Sequence, residues 1–512
     1  MRSGTTFSTL RPLLLVSVGC VLAEHAFAAV DLDLSAAVSP SIYYTDNVCL
    51  TANNKKDSLS FGWNGIGLLT PSGSISSRGS RASFDADGSV QFNALTNSQL
   101  EDECDDEFNA RRFNDYERDQ FAPNINATGS AILIEDWVTV NGSATANQNQ
   151  VSPFVGGATD TLNRNGNTNT YYLYSVSPVM ARRIRDTAKY SIRYTFSEVK
   201  NSQDVVNDST SNSVVANLSN DTSSKLSWSL LGNYRKVEYS DSDFVNSFTG
   251  QLVPRQDTEL KSAGLRLGYQ IDRRWQVNAG TGWEWNDFQQ YYKASDTGGS
   301  VWDFGLRWTP SQRTTVGVGM TSRFFGKAPR INISHRRKRS SFTASYNKSI
   351  SFANDIRTQQ DDLNPNYINN YALNSDSPIL DERLTLGYSY TGRRATASLS
   401  GSHSQQTQAD TGEESTFKGL ALSVSPQISS VYTVSGTVAW NDNQSDSIFG
   451  IPNSRFYQGD SQYLITSVSI GRPINSRATM SVNYQYTDQT SNNAFDEYTE
   501  NRIIATVNIS LF

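Results

Sequence analysis

Histidine does most acid-base chemistry near neutral pH, yet only three of the 512 residues are histidine. His335 stands in the basic run His335-Arg336-Arg337-Lys338-Arg339, which reads as a solvated turn whose cations reach phosphate head groups. His403 lies in Gly401-Ser402-His403-Ser404, where a base beside a serine would be a hydrolase pair. In an extended strand, however, Ser402 and Ser404 point away from the His403 side, so the serine would have to come from another strand. There is no Cys-x-x-Cys, no zinc signature and no phosphate-cradling glycine loop between a strand and a helix. The expectation is a protein that is not an enzyme and carries no cofactor or metal.

Cysteine and charge give a second set of candidates. Cys49 and Cys104 sit in polar, loop-like stretches. They read either as a disulfide between the first two surface loops, worth about 4 kcal/mol in the chain-entropy model, or as two free thiols. On the polar sides of their strands stand Arg193, Arg266, Arg307, Arg323 and Arg383, with Glu284 among them. Lining an interior, they would favour anionic solutes or an acidic polymer; paired with carboxylates, they would only brace the wall. The acidic run from Glu101 to Glu107 suits a divalent cation beside lipopolysaccharide, or simply a solvated loop.

The elements that must position these residues are short alternating strands. Trp275, Val277, Ala279, Trp283 and Trp285 alternate with Gln276, Asn278, Gly280, Gly282 and Glu284, and Tyr190, Ile192, Tyr194 and Phe196 alternate with Ser191, Arg193, Thr195 and Ser197. One face meets lipid and the other meets water. The last strand, Ile503 to Leu511, does the same, with Phe512 one residue out of phase, as a bulge or an unpaired last residue would leave it. Mean hydropathy is −0.49 and hydrophobic content 37%, which excludes a bundle of membrane helices.

Between strands, tight breaks such as Ile271 to Arg274, Thr309 to Gln312 and Thr391 to Arg394 take turns with long ones: Asn201 to Ser211, Ser240 to Thr258, Phe352 to Pro378 and Asn441 to Asp460. Gly264-Leu265-Arg266-Leu267 and Gly305-Leu306-Arg307-Trp308 repeat at a spacing of 41, about one hairpin with its loop. Ten tight turns imply an all-β, antiparallel, up-and-down transmembrane barrel of 22 strands, within about four, with short periplasmic turns and long outer loops. Gly326-Lys327-Ala328-Pro329 is expected to serve as an outer loop.

The N-terminus fits that reading. Arg2 and Arg11, an apolar core from Leu13 to Ala23, and Ala26-Phe27-Ala28 make residues 1–28 a secretory signal peptide, leaving 29–512 as one barrel domain in the outer membrane. A net charge of −6 makes nucleic acid an unexpected partner.

Ile42-Tyr43-Tyr44-Thr45-Asp46-Asn47-Val48 and Tyr498-Thr499-Glu500-Asn501-Arg502-Ile503 resemble the outer-membrane β-barrels associated with PEP-CTERM/exosortase systems and exopolysaccharide gene clusters. The resemblance implies a place near polysaccharide secretion or surface assembly in a Gram-negative envelope, and hands over no catalytic or binding residues. Outer-membrane lipid, lipopolysaccharide, an acidic exopolysaccharide and periplasmic export components become the expected partners. Three readings follow: an export conduit for exopolysaccharide, a general diffusion porin, which a Phe352 to Pro378 loop folded inward would favour, and a structural or adhesive surface barrel. TonB-coupled uptake is not expected, because transporters of that class carry a plug before the barrel and strands here begin by about Leu34.

Overall fold

Leu420 is 49% exposed, whereas its neighbour Ala421 is fully buried. A contrast of that size between adjacent residues requires a strand with two different environments on its two faces. The computed structural model describes residues 31–47, 50, 64–95, 121–154, 167–203, 206–220, 225–240, 244–245, 252–253, 257–288, 297–358, 375, 377–409, 412–429, 431–446, 460–492 and 497–512. Residues 1–28, expected to form a signal peptide, Cys49, Cys104 and the run from Glu101 to Glu107 lie outside them.

The first strands are β1 (Asp31–Thr45), β2 (Asn64–Arg78), β3 (Ala82–Leu95), β4 (Phe121–Ile134), β5 (Val138–Gln150), β6 (Thr168–Ile184), β7 (Ala188–Asn201), β8 (Ser209–Asn220) and β9 (Leu226–Tyr239). A two-stranded ribbon, β10 (Phe244–Val245) and β11 (Leu252–Val253), decorates the next loop. The wall resumes with β12 (Thr258–Gln270), β13 (Trp275–Asp287), β14 (Gly299–Ser311), β15 (Thr314–Arg323), β16 (Gly326–Arg336) and β17 (Ser340–Ser351). A short helix, α1 (Ala353–Thr358), precedes β18 (Ile379–Thr391), β19 (Ala395–Gln408), β20 (Glu414–Pro426), β21 (Thr433–Asp446), β22 (Ser461–Pro473), β23 (Ala478–Ser491) and β24 (Tyr498–Ser510).

Each wall strand pairs antiparallel with its neighbours, and β24 pairs with β1, so the 22-stranded sheet closes on itself. Closure leaves no edge in lipid, which is what a strand-built membrane protein requires. The two motifs that carry the family resemblance turn out to be the two sides of this closing seam. Glu500 accepts hydrogen bonds from the Tyr43 hydroxyl (2.7 Å) and from Thr45 Oγ1 (2.7 Å). Asn501 donates its backbone N–H and its Nδ2 to the Asp46 carboxylate at 2.8 and 2.9 Å, and Asn47 Nδ2 donates to the Thr499 carbonyl. Phe512 lies two residues beyond the end of β24 and is 71% exposed, which accounts for its being out of phase.

The outward face is apolar, with Phe304, Leu399, Leu422, Val438 and Ile470 all exposed. On its short-turn side this belt ends in aromatics: Trp275 stacks on Trp308 at 5.5 Å, and Trp137 Nε1 donates to the Tyr190 hydroxyl. Toward the long loops, outward ion pairs such as Lys348 with Glu382 and Lys418 with Asp442, each at 3.0 Å, mark the return to water.

Some boundaries differ from the sequence reading. Gly326 to Pro329 belongs to β16, and the outer link is only Phe324-Phe325, made possible by Gly326 at φ 103°. Asn441 lies inside β21, and the β7–β8 link runs from 202 to 208, because polar strands extend above the membrane and read like loops. The turn between β14 and β15 is Gln312-Arg313.

Candidate functional site

Which face is interior follows from α1. Its Asp355 binds Arg235 of β9 in a bidentate pair, Nη1 to Oδ2 at 2.6 Å and Nη2 to Oδ1 at 2.9 Å, while Arg235 Nε donates to Ser211 Oγ of β8. The same guanidinium lies 4.6 Å over the Phe352 ring. Asn354 donates from Nδ2 to Ser209 Oγ and to the Asn207 carbonyl. The helix that follows β17 is therefore fastened to the β8–β9 wall, several strands away around the barrel. The face carrying Arg235, Ser209 and Ser211 is the lumen.

A second segment comes in from the loop after β5. Asn167 holds its base, accepting the Ser152 N–H and donating to the Ser152 carbonyl. The Pro153 carbonyl then accepts from Asn443 Nδ2 of β21 (2.7 Å) and from Ser461 Oγ and Tyr463 OH of β22 (3.4 and 3.5 Å). Phe154 lies 5.8 Å from the Phe417 ring of β20 and clusters with Ala353, Ile356 and Ile379, all buried. Arg357 Nη2 reaches the Val151 carbonyl at 3.3 Å, so the two inward segments touch. Together they form a strap across the lumen at its long-loop end, with a small apolar knot at its centre.

Register carries the interior face around the wall. Asn233, two residues from Arg235, donates to Ser262 Oγ of β12, and from Ser262 alternation places Arg266 inside. Arg266 pairs with Asp303 of β14 at 3.2 Å, and Arg330 of β16 shares that carboxylate at 3.7 Å. Glycines make room for these side chains to lie flat: a Cβ on Gly280 would stand 1.9 Å from Asp303 Oδ1, and one on Gly305 would stand 2.7 Å from the Asn278 amide. Higher up, Arg323 Nε donates to Glu284 Oε1 at 2.6 Å, with Glu284 buried. Arg383 Nε donates to Asp381 Oδ2 at 3.0 Å, and Asp381 Oδ1 accepts from Ser404 Oγ.

Arg193 and Arg307 are on the same inner face but stay exposed, and neither has an ion-pair partner among the described residues. The structure thus separates the sequence candidates into paired arginines that brace the wall (Arg266, Arg323, Arg383) and unpaired ones that offer charge to the lumen. Beside Arg193, the β3–β6 wall holds a shallow recess of about 350 Å³ lined by Ser83, Asp85, Thr128, Asn141, Ser143 and Ser175. Sequence reasoning missed Asp303, Asp381, Arg235 and Asp355. Asp303 stands on the polar face of an alternating strand and could have been paired by register, and Asp381 lies two residues from Arg383 on the same face; nothing local marks the other two.

Neither histidine joins this arrangement. His403 faces outward, opposite Leu384 and Lys418, while Ser402 and Ser404 face inward. Thr314 Oγ1 and His335 Nδ1 share a hydrogen bond at 2.8 Å, and Arg337 Nε donates to His335 Nε2.

No family model matches the chain, and no curated protein matches it. Among solved structures it is similar to the siderophore receptor PirA from Pseudomonas aeruginosa (10% identity, TM-score 0.45, covering 94% of this chain and 80% of that one). It is also similar to the FrpB iron transporter, F3-3 variant, from Neisseria meningitidis (10%, 0.49, 94% and 82%) and to the ferric-catecholate import receptor Fiu from E. coli K12 (10%, 0.45, 93% and 81%). With its sheet closed, its apolar belt outward and its polar face inward, the chain is a 22-stranded β-barrel of the outer membrane.

Proposed function

We propose that this barrel is a gated conduit for hydrophilic cargo, and that the cargo is an exopolysaccharide leaving the cell. The observation that carries the conduit is the polar inner wall, which the strap of two short segments crosses at one end. A closed sheet of 22 strands encloses a lumen far wider than its own side chains fill. The strap is held to the wall by side-chain contacts, a few polar ones and one small apolar knot, and by no strand pairing, so it can be released without unfolding the barrel. Support for the polysaccharide is the resemblance carried by the seam motifs, together with cations open to the lumen at Arg193 and Arg307.

A second reading, a diffusion channel for small solutes, is favoured by one feature. The start of the Phe352 to Pro378 loop folds inward and narrows the mouth, as a fixed constriction would. Single-channel conductance in a planar bilayer, comparing wild type with Arg235→Gln, separates the two. A conductance that Arg235→Gln enlarges and an acidic polysaccharide blocks is the expected result. An open pore with a small-solute cut-off that the substitution leaves unchanged would favour the diffusion channel. Silence from both proteins would overturn the conduit and leave a surface scaffold.

A further inference from the structure

We propose that the β12–β18 wall is a binding track for an anionic polymer, one bearing carboxylates or phosphates, that enters from the short-turn end. The inference rests on the conduit reading and adds the sign of the cargo and its side of entry.

The chain as a whole is acidic, at −6, but its charge is unevenly placed. Four neighbouring short turns carry Arg273-Arg274, Arg313, the run from Arg336 to Arg339, and Arg393-Arg394, and all of these side chains are exposed. The one acid among them, Asp272, is occupied: its Oδ1 accepts the backbone N–H groups of Arg274 and Trp275. Successive turns are tied together, Thr309 N–H to the Arg274 carbonyl, Arg336 N–H to Arg313 and Thr391 N–H to Arg339, at 2.7 to 2.8 Å. The result is a stiff basic rim with a turn about every 10 Å.

From the rim the charge continues up the inside. Arg336 is paired with Ser341, whose position on β17 shares the inner face with Ser345 and Arg383 of β18. Next comes Arg307, exposed and without an ion-pair partner among the described residues. Arg330 and Arg266 follow, two guanidiniums on the single carboxylate of Asp303, which leaves a net positive charge there. Glycines recur on the inner face beside the arginines: Gly317 lies beside Arg307, Gly319 beside Arg330 and Gly280 beside Arg266. The Asp303 carboxylate lies flat over Gly280 and the Arg330 guanidinium over Gly319, so the wall stays low and an extended chain can run along it within reach of planar guanidiniums that bind carboxylate or phosphate through two hydrogen bonds. A positive rim in a low-dielectric surround raises the local concentration of a polyanion before it enters. Arg307 and Arg336 face the lumen and not the membrane, which favours a threaded polymer over lipid head groups.

The test uses the full-length folded protein, polygalacturonate as probe and neutral dextran of equal length as control. In phosphatidylcholine bilayers, polygalacturonate should block from the short-turn side at a concentration about tenfold lower than from the other, and Arg307→Gln/Arg336→Gln should remove that advantage. Equal block by dextran, equal block from both sides, or block untouched by the double variant would overturn the track. So would block that falls only on replacing Arg337, Lys338 and Arg339 at the turn tips. If the pore never conducts, the conduit reading fails on its own. The track is then read from polygalacturonate binding to the detergent-solubilised protein by calorimetry, where affinity must fall about tenfold in the double variant, and absence of binding sinks it.

Discussion

Arg235 and Asp355 hold α1 against the wall through two parallel hydrogen bonds, with Phe352 over the guanidinium and Asn354 alongside. Both charged groups keep about a third of their exposure, so the pair is worth about 1 kcal/mol and not the several expected of a dry one. That magnitude suits a latch. Asp355→Asn should raise the open probability of the channel about fivefold, and Arg235→Asp/Asp355→Arg should bring it back toward wild type. Equal open probability in all three proteins would show that the apolar knot around Phe154 and Phe417, not the ion pair, keeps the strap down. At the same scale, Gly280→Ala must push Asp303 aside, since its Cβ would stand 1.9 Å from Oδ1. Arg266 and Arg330 then lose their shared acid, and the reversal potential in a salt gradient should move toward anion preference.

Strands and turns were the most legible part of the sequence. Trp283 and Trp285 beside Glu284, or Tyr194 beside Arg193, announce a two-faced strand by period alone, and ten tight turns give the strand number that the closed sheet has. Where strands rise out of the membrane the signal fails, because the inward Asn441 and Asn443 alternate with outward Asp442 and Gln444, and polar against polar shows no period. The site was legible only in part for a similar reason. An arginine on a polar face can be read from one strand, but for Arg266 and Arg323 the partner sits on another strand, at a register no local pattern prints. The faces can be checked directly. Leu422→Arg places a charge in lipid and should cost about 2–4 kcal/mol near the membrane centre, whereas Ser423→Arg places it in the lumen and should leave the folded yield within a factor of about two. Similar losses from both would mean that β20 is turned the other way. The seam makes a separate case: Glu500→Ala removes the carboxylate that accepts from the Tyr43 hydroxyl and Thr45 Oγ1, in a place where both residues are fully buried. A loss of about 2–4 kcal/mol is expected, seen as a lower temperature for the shift from folded to unfolded mobility on a gel, with Tyr43→Phe losing less. An unchanged transition would mean that the β1–β24 backbone ladder alone keeps the barrel shut.

At the scale of the whole molecule, charge is sorted by height and by side. Outward ion pairs ring the long-loop end, exposed arginines gather at the short turns, and the apolar belt lies between. The strap adds a division across the axis. It runs from the β5–β9 stretch to the β17–β22 stretch, and geometrically it is a chord. A chord turns one round opening into two half-moons. One is bounded by β12 to β16 and carries Arg266, Arg307 and Arg330; the other is bounded by β1 to β4 with β23 and β24, where Asp33, Asp85 and Asp87 face inward. Two lanes of opposite sign, side by side in one barrel, would let an anionic chain move along one while its counter-ions return through the other.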